Sequence, residues 1–142
     1  RMLEKEIGQV LSHPDWTWYT SGEHHRELQF LFRAGRQEWL VGAFDLYRPV
    51  AGAEGMPGGL IVDFKTHVIS EREARTRARD YTIQAEVYGD VARELRGPVD
   101  VRLHFTHPNV SVDMGPITAE ARAQRDAAGR PSDAPEQTDL FA

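Results

Sequence analysis

The stretch GGLIVDFKTHV, residues 58–68, opens on two glycines, runs through three apolar residues and then sets an acid and a base two positions apart. Leu60, Ile61 and Val62 follow one another without a polar interruption, the pattern of a strand buried on both faces. Side chains at i and i+2 of a strand point the same way, roughly 7 Å apart. Asp63 and Lys65 therefore share a face, and Phe64 packs on the other. Taken alone, Asp-x-Lys is better explained by an ion pair at an exposed strand end.

Composition bounds what this strand can belong to. The chain has 142 residues, 40% of them hydrophobic and 27% charged, enough for one domain with a real core. It has no cysteine, which rules out disulfides, thiolate metal sites and a cysteine nucleophile. No apolar run is long enough to span a bilayer and RMLEKEIGQV lacks the apolar core of a secretory signal, so a cytoplasmic protein with no membrane partner is expected. The net charge of -5 argues against a surface that is basic all over, though not against local basic patches.

Outward from residues 58–68, the pattern predicts alternating elements. Leu3, Ile7, Val10 and Leu11 recur at helical spacing, giving a short amphipathic helix over 2–11 that Pro14 stops. From Asp15 to Val50 polar and apolar residues alternate, with AGRQ as a turn, as in an antiparallel meander. AGAEGMPGG, 51–59, reads as a loop. Ser70 with Glu73 forms a capping box that starts one long helix, ended by Gly97-Pro98 near Arg96. VDVRLHFTH and NVSVDM are strand-like, and Pro116 opens a last helix that ends at Gly129. The expected class is α/β, a central mixed sheet flanked by helices, with the long helix crossing the sheet between two of its strands. Residues 1–129 form the domain, and 130–142, rich in Pro, Ser and acid, form a disordered tail.

The neighbours of Asp63 change how it is read. WLVGAFDLY is apolar but for Asp45, and a carboxylate there needs a partner or a metal to offset its desolvation. If the strands are adjacent, Asp45 and Asp63 converge. Two carboxylates, a backbone carbonyl and waters make the hard-oxygen environment that suits Mg²⁺ or Mn²⁺, and a nearby lysine can orient or deprotonate the attacking water. That set suits phosphodiester hydrolysis.

VGAFDLY, then LIVDFKT, then YTIQAEVY together resemble the RecB-like branch of the PD-(D/E)xK nuclease superfamily, as found at the C-termini of UvrD-type helicase-nucleases. In that branch a G-x-x-D strand precedes a D-[YF]-K-T strand and a helix carrying Gln-x-x-x-Tyr. Here these are Gly42 to Asp45, Asp63 to Thr66 and Gln84 to Tyr88, within residues 26–105. The resemblance implies a restriction-endonuclease-like fold and a metal-dependent deoxyribonuclease of DNA repair or recombination. It makes Asp45, Asp63 and the Phe64 carbonyl ligands of Mg²⁺ or Mn²⁺, and Lys65 the water-activating base. Gln84 and Tyr88, with Tyr81 a turn earlier, would face the site or the DNA backbone. Ordinary helix packing explains Tyr81 and Tyr88 equally well. Glu27 matches an acid that precedes an apolar strand in the family, as a further ligand or as an exposed strand residue.

The family also carries a metal-binding histidine in an upstream G-x-x-x-H helix. The first helix here offers only His13, beside Pro14; the resemblance leads one to expect the missing helix before Arg1, in which case this chain alone should bind metal weakly or be inactive. His24, His25, His67, His104 and His107 have no helical ligand spacing and read as surface or loop residues. Arg72, Arg75 and Arg79 share a helix face, as a solvated surface or as a phosphate-contacting strip for single-stranded DNA. No Walker-type loop is present, so a helicase motor would belong to another part of the parent chain. QTDLF, 137–141, resembles the bacterial sliding-clamp-binding peptide, with Leu140 and Phe141 filling an apolar pocket and Gln137 setting orientation. The alternative to an enzyme is a catalytically silent nuclease fold that binds DNA or docks on the clamp.

Overall fold

The computed structural model describes residues 2–33, 35–51 and 58–129, apart from the side chains of Met2, Leu3, Glu6 and Arg96. Helices α1 (Met2–Ser12) and α2 (Pro14–Thr20) precede strands β1 (His25–Arg33), β2 (Trp39–Pro49) and β3 (Gly59–Lys65). Helix α3 (Glu71–Arg77), a 3₁₀ turn (Ala78–Tyr81) and α4 (Thr82–Arg96) lead to β4 (Val99–Phe105), β5 (Val110–Asp113) and α5 (Gly115–Ala128). The five strands form one sheet in the order β1-β2-β3-β4-β5. All neighbours are antiparallel except β3 and β4, which run parallel and are joined by the α3–α4 crossover. This is the mixed α/β sheet flanked by helices that the sequence predicts. The loop residues 52–57 and the tail 130–142, with Gln137, Leu140 and Phe141, lie outside the described residues.

Two expectations need correction. DWTWYT alternates like a strand, but Pro14 opens a helix there instead of only ending one: it sits in the first turn of α2, where its missing N–H costs nothing, and the His13 side chain caps the helix by accepting from Asp15 N at 3.1 Å. The long helix is also not continuous. Ser70 caps α3 as expected, its Oγ accepting from Glu73 N at 3.1 Å, a cap worth about 0.5–2 kcal/mol. The chain then tightens into the 3₁₀ turn before α4 begins. No Gly or Pro stands there; the break brings Tyr81 under Lys65, whose Nζ is 4.0 Å from the ring centroid.

The sheet separates two apolar clusters. Ile61, Leu103, Phe105, Phe44 and Tyr47 pack with residues of α3, α4 and α5, whereas Leu46, Leu60 and Val62 pack with Tyr19 and Trp16 of α2. Phe44 and Leu46 are two apart on β2, yet they join opposite clusters. The strand alternation therefore shifts between them, at Asp45. Opposite Asp45 in the β1–β2 register stands Glu27, flanked by the pairs Arg26–Leu46 and Leu28–Phe44 but itself unpaired, with φ at 50°. A non-glycine residue in this left-handed region inside a strand is uncommon and strained.

Gly42, the glycine of G-x-x-D, leaves room for a ring: a Cβ there would lie 2.6 Å from Phe30 Cζ. Phe30 is stacked on Phe44 at 4.8 Å between centroids and cannot easily retreat. Gly42→Ala is expected to cost about 1–3 kcal/mol through overpacking. Urea unfolding should show a lower midpoint with an unchanged slope; an unchanged midpoint would mean that the ring moves freely.

Candidate active site

The β2–β3 ladder ends at Leu46–Val62. One step farther along, Asp45 and Asp63 stand opposite each other, and the ladder is replaced by a side chain: Asp45 Oδ2 accepts from Phe64 N at 2.9 Å. The N–H and C=O of one strand residue face the same neighbour, so the Phe64 carbonyl also faces the β2 edge. Glu27, Asp45 and Asp63 thus occupy one row across three adjacent strands. The backbone is irregular at each: a left-handed Glu27, a shift of faces at Asp45, and a ladder that stops before Asp63.

Asp63 is 4% exposed and Lys65 Nζ lies 2.7 Å from its Oδ2. Lys65 also donates to Gln84 Oε1 at 2.9 Å. Gln84 Nε2 in turn donates to the Tyr88 hydroxyl at 3.3 Å, and that hydroxyl donates to the Ala43 carbonyl at 3.4 Å. The helix residues four apart therefore tie α4 to the carboxylate row through the lysine. Tyr81 carries the lysine on its ring face and bonds His67 Nε2 through its hydroxyl. Asp45, Asp63, Lys65, Gln84, Tyr88 and Tyr81 are all brought together.

Electrostatics follow from this crowding. Burial pushes the Asp63 carboxyl above the ordinary aspartate range and the like charge of Asp45 adds to the rise, while the hydrogen bond and charge of Lys65 oppose it. The Tyr88 phenol is pushed up to about 12, by burial first and then by Asp63 and Asp45. Tyr88 is thus a neutral hydrogen-bonding group, not a nucleophile. The donors suit a hard divalent cation: a buried carboxylate and a half-buried one face each other with one ammonium between them and α4, and a backbone carbonyl lies on the same edge. Among the described residues no group of three His, Cys, Asp or Glu side chains is gathered for a metal. Glu27 is exposed and does not join the pair.

Other predicted residues fall elsewhere. Arg72, Arg75 and Arg79 do share one exposed surface with Glu71 and Thr76. Two of them are engaged, Arg75 with Glu71 at 3.1 Å and Arg79 with Glu120 at 3.2 Å, which weakens their claim on phosphates. His13 is spent as a helix cap. His104 is not a surface or loop residue: it is 0% exposed on β4, held by Asn109 Oδ1 at 2.9 Å and the Tyr19 hydroxyl at 3.2 Å. Burial lowers its pKa, so it stays neutral at physiological pH.

On the α1/α2 side a cleft of about 550 Å³ reaches the carboxylate row, with Glu27 and Asp45 in its wall beside Arg26, Trp16 and Phe64. Trp16 is not legible as a site residue in the sequence, because DWTWYT alternates like a strand; His13-Pro14-Asp15, a cap followed by proline and an acid in the first turn, is the signal for a helix.

Compared with known proteins, the chain matches no family model and no curated sequence. The residues themselves must therefore carry any functional reading.

In chelator-treated buffer, Asp45→Asn should lower the Asp63 pKa by removing a like charge, and Lys65→Met should raise it; carboxyl NMR titration checks both. The sign for stability follows. A raised folded pKa means that protonated Asp63 stabilises the fold fully below the unfolded value of about 3.9, and that this contribution is lost as pH rises through the folded value. Asp63→Asn should not show that loss. An Asp63 pKa indifferent to Asp45→Asn would contradict the convergence of the two carboxylates.

Proposed function

We propose that this chain is a divalent-metal-dependent nuclease domain of restriction-endonuclease-like fold, hydrolysing phosphodiester bonds of DNA as part of a helicase-nuclease in repair or recombination. The observation that carries the reading is the meeting of Asp45 and Asp63 across the splayed β2–β3 edge with Lys65 bound to Asp63. The antiparallel meander, helical crossover and parallel fourth strand support the fold assignment. The place in a helicase-nuclease, with DNA and the helicase portion as partners, rests on the ordered sequence motifs.

Asp45, Asp63 and the Phe64 carbonyl would hold Mg²⁺ or Mn²⁺, which when bound lowers the pKa of an attacking water and offsets charge on the phosphate. The chain supplies the rest. Phe64 N–H fixes one oxygen of Asp45, so that carboxylate is oriented before any ligand arrives. Lys65 is the group placed to move a proton at the attacking water, held between Asp63 and Gln84. Gln84 and Tyr88 are positioning residues that set the lysine and anchor α4 to β2.

A second reading, a silent nuclease fold that binds DNA, is favoured by one observation: Lys65 is fully engaged by Asp63, Gln84 and the Tyr81 ring. Cleavage of labelled single-stranded and duplex DNA with Mg²⁺ or Mn²⁺ separates the two. The nuclease reading predicts metal-dependent cleavage that is lost in Asp63→Ala and reduced about 10²–10⁴-fold in Lys65→Met, with DNA affinity retained. DNA binding with no cleavage by the unaltered protein would favour the silent module.

A further inference from the structure

The face of the sheet opposite α3, α4 and α5 carries an arrangement that the carboxylate row does not explain. Helix α2 presents two tryptophans to three arginines. The Arg26 guanidinium lies 5.1 Å from the Trp16 ring centroid, and those of Arg102 and Arg48 lie 5.1 and 6.0 Å from Trp18. Arg48 also donates to the Trp18 carbonyl at 2.7 Å. Among the described residues none of these three arginines has a carboxylate partner, and Arg102 Nε is buried without any hydrogen bond. In a chain with a net charge of -5, three guanidiniums without an ion pair flank one helix, with Glu27 and Asp45 as the acids that share the cleft of Arg26.

The two tryptophans lie on opposite flanks of α2. Trp16 is half-buried, 6.2 Å from Phe64 between ring centroids, and with it forms the aromatic wall of the 550 Å³ cleft. That cleft has Arg26 at its rim and reaches Asp45. Trp18 is 40% exposed on the far flank, with Arg48 and Arg102 around it.

We propose that the α1/α2 face is a docking surface for an unpaired nucleic-acid strand: one base enters the cleft against Trp16 and Phe64, Arg26 meets the adjoining phosphate, and Arg48 and Arg102 beside Trp18 meet phosphates farther along. The occupant follows from complementarity and position. Aromatic walls take the flat faces of bases, which a duplex keeps stacked and a single strand exposes, and guanidiniums without a carboxylate partner take phosphates. The continuity of the cleft with Asp45 brings the bound strand to the acidic row, so this inference rests on the nuclease reading for its purpose, though not for the binding itself.

Binding of a fluorescent oligothymidylate, and of a duplex of equal length, is measured in chelator to prevent cleavage. The single strand should bind more tightly than the duplex and quench tryptophan fluorescence. Trp16→Leu should weaken single-strand binding about tenfold or more, whereas Trp16→Phe, which fills the same wall but keeps a stacking face, should retain most of it. Arg48→Gln with Arg102→Gln should reduce the slope of log affinity against log salt by about 1.4, and Arg93→Gln on α4 should not change it. Equal binding by the Leu and Phe variants, equal affinity for duplex, or dimerisation through this face without nucleic-acid affinity would overturn the proposal. Cleavage tells the two readings apart: a protein that binds the strand and never cuts keeps the surface and loses the nuclease, and one that cuts with KM unchanged in Trp16→Leu does the reverse.

Discussion

One hydrogen bond organises this molecule: the Phe64 amide given to the Asp45 carboxylate instead of to a neighbouring strand. A sheet that continued its ladder past Leu46 and Val62 would close the gap between β2 and β3 and press two carboxylates together with no space for anything between them. By accepting the amide, Asp45 satisfies the partly buried N–H and holds the strands apart. The cost falls on Asp63, which is buried, close to a like charge and balanced only by Lys65. Such a pair is a poor device for stability, because desolvated charges with imperfect compensation rarely repay their burial. Its persistence in an otherwise well-packed sheet is the physical argument for function.

The surrounding structure serves that row. The 3₁₀ turn between α3 and α4 lowers Tyr81 beneath Lys65 and starts α4 so that Gln84 and Tyr88 reach the lysine and β2. Below the other face, Glu27 takes a strained backbone conformation and the strand alternation shifts, so that both Arg26 and Glu27, and both Asp45 and Leu46, line the same cleft. The acidic row is thereby reached from two sides, the α4 side with its lysine and the α2 side with its aromatic cleft.

Much of this was legible in the residues. Uninterrupted apolar runs and alternation gave the strands, the Ser70–Glu73 box gave a helix start, and the lone acid in WLVGAFDLY marked Asp45 as a residue that needed a partner. What the sequence did not reveal was tertiary in origin. Trp, Thr and Tyr favour strands, so seven residues of α2 carried too little periodicity to overrule them. His104 is buried because Tyr19, a partner far away along the chain, closes over it while Asn109 and β5 hold it from the turn that follows. The 3₁₀ break has no local signal, since it is the site that demands it. The expected strip of Arg72, Arg75 and Arg79 is one face, but it carries acidic partners: Glu71, one turn before Arg75 on the same helix, and Glu120, which only the fold brings near.

The central claim is that Asp45 and Asp63 form one cation site across the β2–β3 gap. Titration with Mn²⁺, followed by paramagnetic broadening of backbone NMR signals, tests it without relying on catalysis. The account predicts selective broadening at Asp45, Asp63, Phe64 and Lys65 that Asp45→Asn weakens strongly. Broadening centred elsewhere, or unchanged by Asp45→Asn, would contradict it.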